Sequence, residues 1–136
     1  MSDPAGRVLV EGAARGRLLR LGAPISFWGG VDPASGRISD PRHPDHGTDI
    51  AGRVLAAPAT VGSSSSSAVM LELLRIGRAP AALLLADPDA ILVLGVIVAR
   101  EMGYPTIPVL EVTTENMAKL PDGAEIQVEN GAIVLV

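Results

Sequence analysis

The segment Ala81-Ala82-Leu83-Leu84-Leu85-Ala86 has no polar residue at any alternate position. A strand that is apolar throughout is covered on both faces, which is the habit of a parallel sheet. Parallel neighbours need crossover connections, usually helices. The flanks supply them. Upstream, Arg53–Ala57 reads as an apolar strand ended by Pro58. Val61-Gly62 and five serines, Ser63–Ser67, follow. Ala68–Ile76, polar at Glu72 and Arg75, predicts a largely buried helix stopped by Gly77. Downstream, Asp87-Pro88 reads as a helix start, with Asp as N-cap and Pro at the first position. That helix runs to about Arg100, Gly103 ends it, and Thr106–Val112 reads as a third strand. Residues 52–112 therefore predict β-loop-α-β-α-β, with right-handed crossovers.

The ends differ from this α/β middle. Arg7–Val10 and Arg17–Leu21, jointed by Gly12 and Gly16, predict a two-strand hairpin. Arg15, Arg17 and Arg20 fit its solvated face. Glu125–Glu129 alternates, Asn130-Gly131 is a strong hairpin turn, and Ala132–Val136 returns as a strand. Thr113–Leu120 is polar and fits a short helix. Between the first strands and the middle runs Gly22–Gly47, rich in Gly, Pro, Asp and Ser. Structureless loops of this length inside a domain are uncommon and usually functional or disordered. Ile25, Phe27, Trp28, Val31 and Ile38 argue for order, with Asp32-Pro33-Ala34-Ser35-Gly36 as a turn. The expectation is an ordered segment, anchored by Ile25, Phe27 and Trp28, lying over a cleft beside the serines. Asp32, Asp40 and His43 would face solvent or substrate.

Composition narrows the function. At 136 residues the chain is expected to form one domain, residues 1–136. It is 48% hydrophobic but only 2% aromatic, so Ala, Val, Leu and Ile must fill the core. The mean hydropathy of +0.37 predicts either a well-buried core or an apolar face awaiting a partner. No cysteine is present, so the chain offers no thiolate to a disulfide, a zinc ion or an iron–sulfur cluster. A net charge of −4 and three aromatic residues disfavour a nucleic-acid module. The longest apolar run, Ala90–Ala99, is ten residues. A membrane span needs ~20. MSDPAGR shows no export signal. The expected location is cytoplasmic.

The serine run admits three readings: a flexible linker, a helix N-cap, or an anion-binding strand–Gly-loop–helix turn. In the third, free N–H groups and the helix dipole meet at the loop. A P-loop is excluded because no Lys stands at the required spacing. A Gly-x-Ser-x-Gly nucleophile elbow is absent. His43 and His46, with Asp40, Asp45 and Asp49, read either as a polar surface loop or as a metal cluster. Trp28, beside Gly29-Gly30, reads as core or as a stacking platform.

Several motifs then coincide. They are Pro24-Ile25-Ser26-Phe27-Trp28-Gly29-Gly30-Val31-Asp32-Pro33, Gly36, Ile38, His43-Pro44, Gly47, Ile50-Ala51-Gly52-Arg53-Val54-Leu55 and Gly62-Ser63-Ser64-Ser65. In this order they resemble the swivelling domain of the aconitase X family, over Gly6 to Val136. The resemblance implies a swivelling β/β/α domain that supplies a catalytic serine to a hydro-lyase. It also implies a cysteine-containing large subunit that holds an iron–sulfur cluster and most of a small hydroxy-acid substrate. The family's serine follows the loop glycine and maps onto Ser63. Around it, Gly62, Ser64, Ser65, Arg53 and His43 are the expected substrate-binding residues. Ordinary aconitase follows its serine with Ser-Arg, whereas Ser64 and Ser65 stand here. A cation would have to come from Arg53, a loop or the partner. Family members dehydrate cis-3-hydroxy-L-proline or 5-phosphomevalonate. The scarcity of basic residues near the serines, the excess of Arg over Lys, the abundance of Ala and the presence of Trp28 favour the first. The alternatives are a phosphomevalonate dehydratase small subunit and a non-catalytic, anion-binding swivelling module.

Overall fold

A computed structural model describes residues 6–61 and 64–136. Among these residues seven strands form one sheet in the order β1-β5-β4-β3-β2-β6-β7. They are β1 (Arg7–Val10), β2 (Ala13–Arg20), β3 (Val54–Ala59), β4 (Ala82–Asp87), β5 (Val109–Glu111), β6 (Glu125–Glu129) and β7 (Ala132–Leu135). The helical elements are a short turn, α1 (Phe27–Gly30), then α2 (Ser66–Ile76), α3 (Ala90–Glu101) and α4 (Thr114–Ala118).

Strands β2, β3, β4 and β5 run parallel, and β1, β6 and β7 run antiparallel to their neighbours. The unalternating run is central: β4 pairs with β3 on one side and β5 on the other. Its side chains divide with the period of two that a strand imposes. Leu83 and Leu85 join the core beneath α2 and α3. Ala82 and Leu84 join a second core beneath α4 and the β6–β7 hairpin. The layers are therefore strands, strands and helices, the expected β/β/α arrangement.

Strand β2 links the two halves. Leu18, Leu19 and Arg20 pair with Val54, Leu55 and Ala56 of β3, while Ala13–Arg17 pairs with β6. Gly16 sits where the partners change. A Cβ there would lie 2.6 Å from the Gly52 carbonyl oxygen, so only glycine lets that turn approach. The sheet curls until its ends meet, and Gly6 N–H donates to Gly131 O at 3.0 Å.

Three expectations are corrected. Strands β1 and β2 do not pair with each other; β1 pairs antiparallel with β5, Arg7 opposite Glu111. The N-cap of α3 is Asp89, whose side chain accepts from Ile91 N–H, while Asp87 still belongs to β4. The third strand is short, Val109–Glu111. Helix α2 ends as expected at Gly77, in the left-handed conformation at φ 76°.

The 22–47 segment is ordered. Ile25 bridges Thr60, and Val31 bridges Ile38. Ile25 and Phe27 are buried, but Trp28 is 60% exposed, so two of the three expected anchors hold. His43 is 8% exposed and does not face solvent.

Candidate functional site

Four parallel strands finish at one edge, with Arg20, Ala59, Asp87 and Glu111 as their last residues. Ligands in α/β sheets gather outside such carboxyl ends. Ser64 and Ser65 stand just before the start of α2, and Ser66 and Ser67 open it. Gly62 and Ser63 lie outside the described residues. Their neighbours define the surroundings. On the strand side, Ile25 N–H donates to Ala59 O at 3.2 Å and Val61 N–H to Ile25 O at 2.9 Å. The 22–47 segment is thus zipped to the last described residues of the β3 end.

On the helix side, Ser65 is the N-cap of α2. Ser64 is exposed, and its carbonyl accepts from Ser67 Oγ at 3.0 Å. Ser65 O accepts from Val69 N–H at 3.2 Å, the first helical bond. Helix α3 braces this turn. A Cβ at Gly95 would fall 2.8 Å from Ser67 O, so glycine lets the two helices touch. The opening N–H groups of this eleven-residue helix include those of Ser66 and Ser67. This is the geometry that stabilises negative charge.

An open groove of about 470 Å³ runs beside the helix, lined by Trp28, Gly29, Val31, Asp32, Ser39 and Val69. Its wall is a built structure. Ser26 Oγ donates to Trp28 O at 2.8 Å, and Ser39 Oγ to Gly29 O at 3.3 Å. Asp32 closes the Val31–Ile38 turn by accepting from Ala34 N–H at 3.0 Å and Ser35 Oγ at 2.8 Å. The Ala34 amide, then the Ser35 hydroxyl, hold its carboxyl below the usual value, against a smaller effect of burial. The exposure of Trp28 on this wall favours the platform reading over the core reading.

Two expected substrate contacts are placed elsewhere. Arg53 precedes β3, and its guanidinium donates to Arg17 O at 3.1 Å and Leu18 O at 3.2 Å. At about 3.3 Å per residue, the strand puts it on the order of 20 Å from the serines. It cannot be their cation within this chain. His43 staples its own loop. Its Nδ1 accepts from Asp45 N–H at 3.0 Å, and its Nε2 lies 3.3 Å from Ala23 O. Asp45 in turn accepts from Gly22 N–H at 2.9 Å. Among the described residues, no three His, Cys, Asp or Glu side chains gather to hold a metal. With no cysteine in the sequence, the chain does not fit an iron–sulfur cluster by itself. No helix among the described residues is long and apolar enough to cross a membrane.

Comparisons with known proteins agree with the fold. A family model described as the aconitase X swivel domain matches residues 4–136. A cis-3-hydroxy-L-proline dehydratase of Pseudomonas aeruginosa is 46% identical over 124 residues, which cover 86% of this chain and 21% of that protein. The phosphomevalonate dehydratase small subunit of Methanothermobacter thermautotrophicus is 36% identical, over 90% of each chain. A crystal structure of Thermococcus kodakaraensis aconitase X in its holo-form superposes with a TM-score of 0.86 at 30% identity, over 98% of this chain and 99% of that one. The chain thus spans about a fifth of the length of the hydroxyproline dehydratases it matches and about nine-tenths of the small subunits.

Proposed function

The chain belongs to the aconitase X swivel domain family, and from that premise we propose that it is the small component of a hydro-lyase acting on cis-3-hydroxy-L-proline. Its partner is a large subunit that supplies the cysteines this chain lacks and holds the iron–sulfur cluster. The observation that carries the substrate is the 46% identity to the Pseudomonas aeruginosa dehydratase. A second hydroxyproline dehydratase, of Hypocrea jecorina, stands at 37%, and the phosphomevalonate dehydratase small subunits of Methanothermobacter thermautotrophicus and Pyrococcus furiosus at 36% and 35%.

Ser63 is the general base. Elimination of water removes a proton from carbon, and a serine hydroxyl is too weak a base without a site for its anion. The N-terminus of α2 supplies one, and a cleft closed to water would strengthen it. Ser64 and Ser65 offer N–H groups and hydroxyls to a substrate carboxylate, and Gly62 lets the backbone come close. Trp28 covers the groove beside them. The carboxyl edge carries Asp87 at the end of β4. That charge suits an amino acid with its ammonium better than a phosphate ester.

The test pairs the purified chain with its large subunit and offers each substrate in turn. Turnover of cis-3-hydroxy-L-proline, lost in Ser63→Ala, is expected. Turnover of 5-phosphomevalonate alone would overturn the substrate assignment. Binding of the two chains with no change in the large subunit's turnover would make this an interaction module.

A further inference from the structure

Three buried side-chain oxygens among the described residues lack a hydrogen-bond partner: Thr60 Oγ1, Ser66 Oγ and Asp89 Oδ2. All three stand at the carboxyl edge. Thr60 immediately follows β3, Ser66 opens α2, and Asp89 caps α3. Ala59 is the register partner of Asp87, so the turns bearing Thr60 and Asp89 leave neighbouring strands side by side. Buried polar groups are nearly always paired, and one left alone opposes folding.

Folding does not account for these atoms. Ser66 is 1% exposed, and an alanine there would remove no hydrogen bond. Asp89 caps α3 through Oδ1 alone, accepting from Ile91 N–H at 3.0 Å. Serine or asparagine caps as well, so the second oxygen is surplus to the helix. The set comprises two hydroxyls, which donate and accept, and one carboxylate oxygen, which only accepts.

We propose, resting on the reading of the serine run as the catalytic site, that Thr60, Ser66 and Asp89 are positioning residues. Their free oxygens are kept for hydrogen bonds formed in the assembled enzyme with substrate in place. Those bonds orient the first turn of α2 and the β4–α3 turn about the bound molecule. The groups completing them are hydrogen-bond donors toward Asp89 and donors or acceptors toward the hydroxyls, ordered water included.

The test uses Ser66→Ala, Asp89→Asn and Asp89→Ser in the enzyme assembled with its large subunit, read by Tm, kcat and KM. The expected result is an unchanged or raised Tm, with kcat lowered about tenfold or more and KM moved less, the pattern of an interaction made in the transition state. Both Asp89 variants keep the cap, so a purely structural Asp89 would leave kcat at the wild-type value; that result overturns the proposal. A clear fall in Tm for Ser66→Ala would also overturn it, by showing that the hydroxyl is already paired. Ser63→Ala, measured alongside, separates the two readings. Full turnover there removes Ser63 as the base, whereas an inactive Ser63→Ala with unaffected Ser66 and Asp89 variants removes only the positioning role.

Discussion

Gly16 shows how one residue holds two half-sheets together. The added methyl of Gly16→Ala would meet the Gly52 carbonyl oxygen at 2.6 Å and Val54 N at 3.3 Å. Both are backbone atoms, so the β2–β3 seam would have to open. A loss of roughly 1–3 kcal/mol, typical of overpacking, is expected in denaturant unfolding. At the proposed catalytic end the opposite pattern is expected. Ser63→Ala should lower kcat in the assembled enzyme by roughly 10²–10⁴, the usual range for a general base, with Tm retained. Near wild-type kcat there, with Ser64→Ala or Ser65→Ala inactive, would move the base along the run. Local sequence made the opening of α2 legible, where Ser65 caps the helix and Gly77 ends it. It did not place Arg53, which is near the serines in sequence but separated from them by the whole length of β3. His43 misled for a related reason: its environment is created by Ala23, twenty positions earlier.

Among elements, the Val31–Ile38 turn has a pH signature. The carboxyl of Asp32 is held below its usual value, by the Ala34 amide first and the Ser35 hydroxyl second. Its contribution is therefore complete above the unfolded carboxylate value and is lost as pH falls through the lowered folded value. Limited proteolysis within 31–38 should accelerate only in that acid window. Asp32→Ala should be cut faster at neutral pH as well. Equal cutting of wild type and Asp32→Ala at neutral pH would show that the turn is held otherwise, for instance by Arg78 Nε donating to Ser35 O at 3.0 Å. The element boundaries show what periodicity can and cannot give. Helices α2 and α3 and the β6–β7 hairpin followed from local pattern and turn chemistry. Strand β1 was legible at Arg7–Val10, but its pairing was not, because its partner β5 lies about a hundred residues away, and only the assembled sheet decides which edge it joins. Asp87-Pro88-Asp89 holds two candidate caps, and the β3–β4 register keeps the first in the strand.

At the scale of the molecule, the fold presents one edge and leaves apolar surface around it. Ile91, Leu94 and Ile97 recur at helical spacing on α3 and are 38%, 52% and 39% exposed; Trp28 and Val61 are 60% and 53% exposed. Scattered apolar residues are ordinary, but a run on one helix next to the serine edge is the kind of surface that partners cover. The core itself is complete without it, since both layers of the sheet are filled. On the proposed reading the chain folds alone, while its chemistry needs groups it does not own. It has no cysteine, and Arg53 is engaged at the far edge by the carbonyls of Arg17 and Leu18. The isolated chain should thus unfold cooperatively, as a single domain does, yet show no dehydratase activity. Activity should appear on titration with the large subunit and saturate at a fixed ratio of the two chains. Substantial turnover by the purified chain alone would show that one edge of this sheet carries the whole reaction, and the division of labour between two subunits would have to be abandoned.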